Sequence, residues 1–179
     1  MMVAICIATG PSLTENDVKT AVSIDAAVYV VNDAYKLVSN ANVLYAADVD
    51  WWNYHEGVVE FNGEKWTCDY TTSIKWNLNY IKGESNILFG EEEPIAYGGN
   101  SGFQAINLAY LHGHKEIILL GYDLGHDENE SKHYFGEHPR KINRYSNYKK
   151  WIEHYRKAKP VMDKLGITIK NATRRTKLD

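Results

Sequence analysis

Polar residues able to hold an anion or move a proton collect at the ends of apolar runs along this chain of 179 residues. After Val3-Ala4-Ile5-Cys6-Ile7-Ala8 comes Thr9-Gly10-Pro11-Ser12, where amides near Gly10 and Ser12, with the Ser12 hydroxyl, could hold a phosphate or a ribose. The run 26–31 ends in Asn32-Asp33, where a strand end offers Asn32 to a ribose or base. The run 43–47 ends in Asp48-Val49-Asp50. On an extended backbone this Asp-x-Asp pair would share a face, and with phosphate oxygens it could bind a hard cation such as Mg2+; an exposed acidic turn is the alternative. Gly98-Gly99-Asn100-Ser101-Gly102 places three glycines in five residues, with Asn100 and Ser101 able to cap a helix whose N-terminus suits an anion. Gly121-Tyr122-Asp123 closes another apolar run with a carboxylate.

Between 125 and 141 lie His126, His133 and His138, with Arg140 and Lys141 close behind. Histidine exchanges a proton near neutral pH, and the two cations could hold phosphate beside it. A metal set of His126, Asp127, His133 and His138 is the rival reading, though its spacing matches no standard zinc pattern.

Strands and helices must bring these groups together. Thr14 with Asp17 forms a capping-box pattern that opens a helix after the first turn. A short helix is expected over 37–41, and a small hairpin around Asn62-Gly63 within an insertion at about 55–93. Apolar residues at 103, 105, 106, 108, 109 and 111 predict a helix packed on a sheet, stopped by Gly113, and 115–120 reads as a strand buried on both faces. A lid loop spans about 124–147. An amphipathic helix over 148–165 follows, kinked or divided by Pro160, with a last strand at 166–169. The expected fold is α/β: one Rossmann-like domain over 1–179, a doubly wound, mostly parallel sheet with helices on both faces and a small inserted hairpin.

A net charge of -3 gives no general pull toward nucleic acid, and the basic residues Lys170, Arg174, Arg175 and Lys177 read as a solvated end. No apolar run approaches the roughly 20 residues of a membrane span, and the first residues lack signal-peptide features, so a cytoplasmic protein is expected. Cys6 and Cys68 fit no disulfide or metal spacing and read as buried thiols. Five Trp and thirteen Tyr are many for this length, and all the Trp and eight of the Tyr fall at 45–80 and 134–155, where rings stack on bases and sugars or fill a core. A homo-oligomer is compatible with this composition.

Three of these pieces together resemble the bacterial sialyltransferases of glycosyltransferase family 42. The pieces are Ala8-Thr9-Gly10-Pro11-Ser12-Leu13, then Gly99-Asn100-Ser101-Gly102 through Leu119-Leu120-Gly121-Tyr122-Asp123, and His133-Tyr134-Phe135-Gly136-Glu137-His138. The first two also look like the pterin diphosphokinase-like proteins, and along its whole length the chain is similar to small phage and prophage proteins. The resemblance implies a nucleotide or nucleotide-sugar ligand, with Ser12 and Asn32 on the nucleotide and Ser101 and Gly102 by its phosphate or donor. It makes His138 the general base, with His133 as a substitute, and Tyr134 or Tyr145 a partner of the leaving phosphate. Gly10, Asp48, Asn100 and Asp123 complete the expected binding edge. Glu137 stands as an extra residue before His138, and Thr9 replaces the family's frequent Asn. A nucleotide-sequestering binder and a metal-dependent diphosphokinase are the alternatives to group transfer.

Overall fold

The structure is a computed structural model that describes residues 3–128, 131–136 and 146–178. Five apolar residues form β1 (Val3–Ile7), followed by α1 (Glu15–Val22), β2 (Ala27–Val31), a 3-10 turn (Asn32–Lys36), β3 (Val43–Tyr45), α2 (Val49–Tyr54), β4 (Glu64–Thr67), α3 (Tyr70–Trp76) and β5 (Asn79–Tyr80). A small pair, β6 (Gly83–Glu84) and β7 (Ile95–Ala96), precedes α4 (Ser101–Leu111), β8 (Glu116–Leu120), α5 (Tyr148–Lys164) and β9 (Thr168–Asn171).

Seven strands form one sheet in the order β5-β4-β3-β2-β1-β8-β9, every neighbouring pair parallel. From β1 the chain steps outward as far as β5, then returns to the other side of β1 as β8. The winding therefore reverses between β1 and β8, which opens a crevice at their carboxyl ends.

Alternation along the strands builds two cores. Ala4 and Cys6 of β1, Tyr29 and Val31 of β2 and Ile117 and Leu119 of β8 face Phe103, Ile106 and Leu108 of α4 and Tyr155, Ala158 and Met162 of α5. Ile5 and Ile7, Val28 and Val30, and Leu44 of β3 face Val18 and Ala21 of α1 and Trp51 and Trp52 of α2. Helices thus cover both faces of a Rossmann-like, doubly wound sheet. Phe103, Ile106 and Leu108 are fully buried, each contributing about 2–3 kcal/mol through burial.

The helix starts follow the capping residues. Thr14 and Asp17 complete a reciprocal capping box on α1, and Asn100 accepts the Phe103 amide at the start of α4. Pro160 lies inside α5 without dividing it.

Three expectations need correction. No hairpin forms around Asn62-Gly63: the residues after it become β4, which pairs parallel to β3, and the 55–93 segment extends the main sheet by β4 and β5. The Asn-Gly signal lost to the sheet, because the Glu64 amide bonds the Asn42 carbonyl and continues the β3 ladder. The short helix over 37–41 is instead the 3-10 turn five residues earlier, directly after β2. The basic end is not merely solvated, since Arg174 grips Asp17 through two bonds of 2.7 and 2.8 Å.

Asn107 ties the irregular stretch before β7 to α4. Its side chain is fully buried; Oδ1 accepts the Gly90 amide at 2.8 Å and the Ala96 amide at 3.0 Å, while Nδ2 donates to the Gly90 carbonyl at 2.8 Å. Leucine at this position would strand two buried amides, at about 1–3 kcal/mol each. Asn107→Leu should therefore lower unfolding free energy in urea by at least about 2 kcal/mol, and a loss within experimental error would show that the stretch anchors itself elsewhere.

Candidate functional site

The crevice at the winding reversal is a small cleft lined by Thr9, Gly10, Asn32, Asn100, Ser101, Gly102, Asp123, Lys132, His133, Tyr148 and Trp151, among others. Six of the expected binding residues (Gly10, Asn32, Asn100, Ser101, Gly102 and Asp123) and one expected base, His133, meet there. Parallel strands ending on one edge cause the convergence: β1 delivers Gly10, β2 delivers Asn32, β8 delivers Asp123, and α4 starts above them.

Gly10 and Asp123 fix the floor. The Gly10 amide bonds the Gly121 carbonyl at 2.8 Å, and the Ser12 amide bonds Asp123 Oδ1 at 2.8 Å. A Cβ on residue 10 would lie 2.0 Å from Asp123 Oδ2 and 2.5 Å from the Gly121 oxygen, so only glycine fits. Burial pushes the Asp123 carboxyl above its ordinary range, against the pull of the hydrogen bonds from Ser12. Asp123 Oδ2 is buried with no hydrogen-bond partner among the described residues, and so is Asn100 Nδ2.

The wall is the start of α4. Gly98 and Gly99 take positive φ values of 53° and 84° to bring the chain into the Asn100 cap. Ser101 Oγ accepts the Ala47 amide at 3.1 Å, which ties the cap to the end of β3. Gly102 is buried, and a Cβ there would come within 3.0 Å of the Tyr122 ring, whose hydroxyl donates to the Gly102 carbonyl at 3.1 Å. Close helix-to-sheet packing is one reason for that glycine. Asn32 adopts a positive φ of 50° at the head of the 3-10 turn, a conformation asparagine tolerates better than most residues.

Loop 131–136 lies across the ends of β1 and β2. His133 Nδ1 is 3.2 Å from the Thr9 hydroxyl, and the Tyr134 amide donates to the Thr9 carbonyl at 2.8 Å. Tyr134 packs against the α1–α2 core, and the Phe135 ring lies 5.4 Å from the Lys36 ammonium. Below it, Asp33 Oδ1 holds Lys36 at 2.8 Å and His55 at 3.2 Å. Burial alone would raise the Asp33 carboxyl, but hydrogen bonds and charge from His55 and Lys36 outweigh it and hold it at about 2.

The remaining expected residues sit differently. The Ser12 hydroxyl accepts the Arg175 amide at 3.2 Å and its own amide is bonded to Asp123, so both groups bind protein beside the cleft. Asp48 is exposed at the cap of α2 and Asp50 lies in that helix's first turn, so the pair is not on an extended strand. Among the described residues no three His, Cys, Asp or Glu side chains gather as a metal set. His138, Arg140, Lys141 and Tyr145 lie outside the described residues. Cys6 is buried, its thiol pushed up to about 12 by burial, and Cys68 is half-buried, so the second thiol is less enclosed than expected.

Two contributions were not legible beforehand. Trp151 and Tyr148 line the cleft from α5, with a Cβ on Gly99 reaching within 2.7 Å of the Trp151 ring. Trp151 belongs to the apolar stripe of that helix, which marks a core residue as readily as a cleft wall. The second is a strap, 172–178, folded back over the β8 end. Thr176 Oγ1 donates to the Tyr122 carbonyl at 2.8 Å, the Lys177 amide to the Asp123 carbonyl at 3.0 Å, and Arg175 reaches Glu128 at 2.9 Å.

Gly10→Ala should destabilise the protein by about 1–3 kcal/mol through overpacking against Asp123 and Gly121, measured as a fall in the urea midpoint; a wild-type midpoint would show that the floor yields freely. The Asp33 carboxyl gives a pH signature. Its folded pKa lies below the ordinary 3.8, so its stabilisation is present above pH 4 and is lost as pH falls toward about 2. In Asp33→Asn that acid-limb loss, about 2 kcal/mol, should be absent from urea titrations taken between those pH values, whereas an unchanged acid limb would assign it to other carboxylates.

Comparison with family models, with curated proteins and with solved structures returned no match, which leaves the residues and their geometry to carry the functional reading.

Proposed function

We propose that the cleft between β1 and β8 binds a nucleotide or nucleotide-linked sugar, and that the protein transfers the glycosyl group to an acceptor hydroxyl. The supporting observation is the convergence of Gly10, Asn32, Asn100, Ser101, Gly102 and His133 on one space at the winding reversal. Open parallel sheets bind nucleotides at that point, and the start of α4 suits a phosphate. In the transfer, His138 takes the acceptor hydroxyl proton as its oxygen attacks the anomeric carbon, and the nucleotide leaves with the bonding pair on its phosphate oxygen. Tyr134 or Tyr145 hydrogen-bonds that phosphate. His133, already in the cleft wall, is the substitute base.

A second reading, a binder that sequesters a nucleotide without turning it over, draws on the Thr9–His133 contact. At 3.2 Å it occupies Nδ1 and lines a pocket as readily as it presents a base.

A thermal-shift screen of nucleoside mono- and diphosphates and nucleotide sugars, with and without magnesium, tests the binding. A ligand at 100 times its Kd adds about 2.7 kcal/mol and raises Tm; no shift with any nucleotide overturns the proposal. A shift that requires magnesium favours the diphosphokinase-like alternative. For the chemistry, His138→Ala should lower turnover about 10²- to 10⁴-fold at matched nucleotide saturation. Collapse in His133→Ala alone moves the base there, and an intact donor with every acceptor tried leaves the binder.

A further inference from the structure

A second cavity, of about 350 Å3 against about 120 Å3 for the cleft, lies between α5 and the β8–β9 end of the sheet. Its apolar walls are Leu119 of β8, Ile169 of β9, Tyr155 and Met162 of α5, Ile167 between α5 and β9, and Leu178 of the strap. Tyr155 sends its hydroxyl toward Asn100 at 3.4 Å, so it meets this space with its ring. The gap has a cause in the sequence. Alternation puts Ile169 and Asn171 of β9 on the side of α5, and Asn171 spends its short amide on the strap, donating to Thr176 Oγ1 and accepting the Thr173 amide, both at 3.1 Å. Leu178 reaches back toward the space that a third apolar strand residue would occupy, and it remains half-buried. Because β9 is the last strand of the sheet, the cavity opens at the sheet edge.

Size and charge select the occupant. Small-molecule pockets run from about 300 to 1,000 Å3, so this one suits a small body. At about 30 Å3 for each non-hydrogen atom in a liquid, it takes roughly ten to twelve such atoms. Apolar walls favour a hydrocarbon and penalise the many hydroxyls of a sugar or a nucleotide. The mouth is charged, with Arg156, Lys159 and Asp163 along the exposed side of α5. That helix carries six Lys and Arg against two carboxylates, and both carboxylates are held by lysines four positions on: Glu153 by Lys157 at 2.9 Å, and Asp163 by Lys159 at 3.0 Å from each oxygen. An ammonium has three donors, of which Asp163 takes two. The surplus of positive charge favours an anionic head at the mouth and disfavours a cationic one.

We infer that this cavity binds a medium-chain alkyl carboxylate, its chain lying against Leu119, Met162 and Ile169 and its head meeting Lys159 and Arg156 at the mouth. Met162 suits such a wall, because an unbranched thioether adapts to a chain of variable shape. The site is separate from the nucleotide cleft and does not rest on the transfer reading.

Isothermal titration calorimetry on the full chain, without nucleotide, tests it with octanoate and decanoate, with 1-octanol as the neutral control and octyltrimethylammonium as the cationic one. The expected result is saturable binding of one carboxylate per chain with a negative heat-capacity change, the mark of apolar burial. Each buried methylene is worth a factor of about four, so decanoate should bind at least about tenfold tighter than octanoate. Ile169→Trp fills the cavity from the edge strand and should abolish binding. Lys159→Gln and Arg156→Gln, both at exposed positions, should weaken the carboxylates several-fold while leaving 1-octanol unchanged. Circular dichroism and an unchanged Tm verify that each variant is folded, and the two glutamine variants keep the test decisive if Ile169→Trp does not fold. The absence of saturable carboxylate binding, retention of it in folded Ile169→Trp, or equal affinity for octanoate and octyltrimethylammonium overturns the proposal. Binding to vesicles of anionic phospholipid without binding of free carboxylate also overturns it, assigning α5 to a membrane surface. Wild-type dimers broken by Ile169→Trp overturn it as well, giving the cavity to a second copy of the chain.

Discussion

The Asp123 carboxylate stands where any side chain on residue 10 would have to be. Everything at the cleft depends on that exclusion. Because residue 10 has no Cβ, the turn after β1 can lie against the end of β8, with its amide on Gly121 and the next free amide, that of Ser12, on Asp123. The two strands that diverge in winding are thereby held together at their carboxyl ends, where a parallel sheet otherwise opens. A carboxylate so enclosed is costly unless hydrogen-bonded, and the Ser12 amide meets part of that cost. Strands, glycine turn and carboxylate are therefore one arrangement, in which no member can be changed alone.

Electrostatics reinforce the same edge at two other points. Asp33, buried under the end of β2, is held charged by Lys36 and His55, and Lys36 in turn faces the Phe135 ring of the overlying loop. Arg174 closes on Asp17, the residue that completes the α1 capping box. In the first, Asp33 and His55 are buried while Lys36 reaches solvent. The second is half-exposed, so its value lies more in geometry than in energy.

Much of the architecture was legible because it depends on local pattern. Apolar runs ending in polar residues marked β1, β2, β3 and β8, and the spacing from Phe103 to Leu111 marked α4. The capping residues Thr14 and Asn100 placed the helix starts. What failed was decided by tertiary pairing. The sequence around Asn62-Gly63 suits a tight hairpin, but Glu64 to Thr67 complete the β3 ladder, a partner that no local window contains. At the site, the glycine turns and the strand-end residues Asn32 and Asp123 could be read because the parallel fold sends every strand end to one edge. The places that Ser12, Trp151 and the strap take could not, since they depend on elements far off in the chain: Ser12 meets Asp123 111 positions on, and Thr176 meets Tyr122 54 positions back. For Asp48 and Asp50 the structure follows the exposed acidic turn of the two readings, because the chain turns into α2 at once and helical geometry separates residues two apart.

The strap has a consequence for how the protein is made. Ser12 and Arg175 are 163 positions apart, and Asp17 and Arg174 are 157 apart. Closing contacts at such separation carries a large entropic cost before any gain appears. On a ribosome, β1 to β5 would emerge and pair while the β8 side of β1 stood open, its hydrogen-bonding edge uncovered. The cleft would come into being only when α4 and β8 docked, and 172–178 would fold back across the end of β8 last. The cleft is on this account completed late, so that a nascent or prematurely ended chain would carry most of the sheet and only the β1 and β2 side of the pocket.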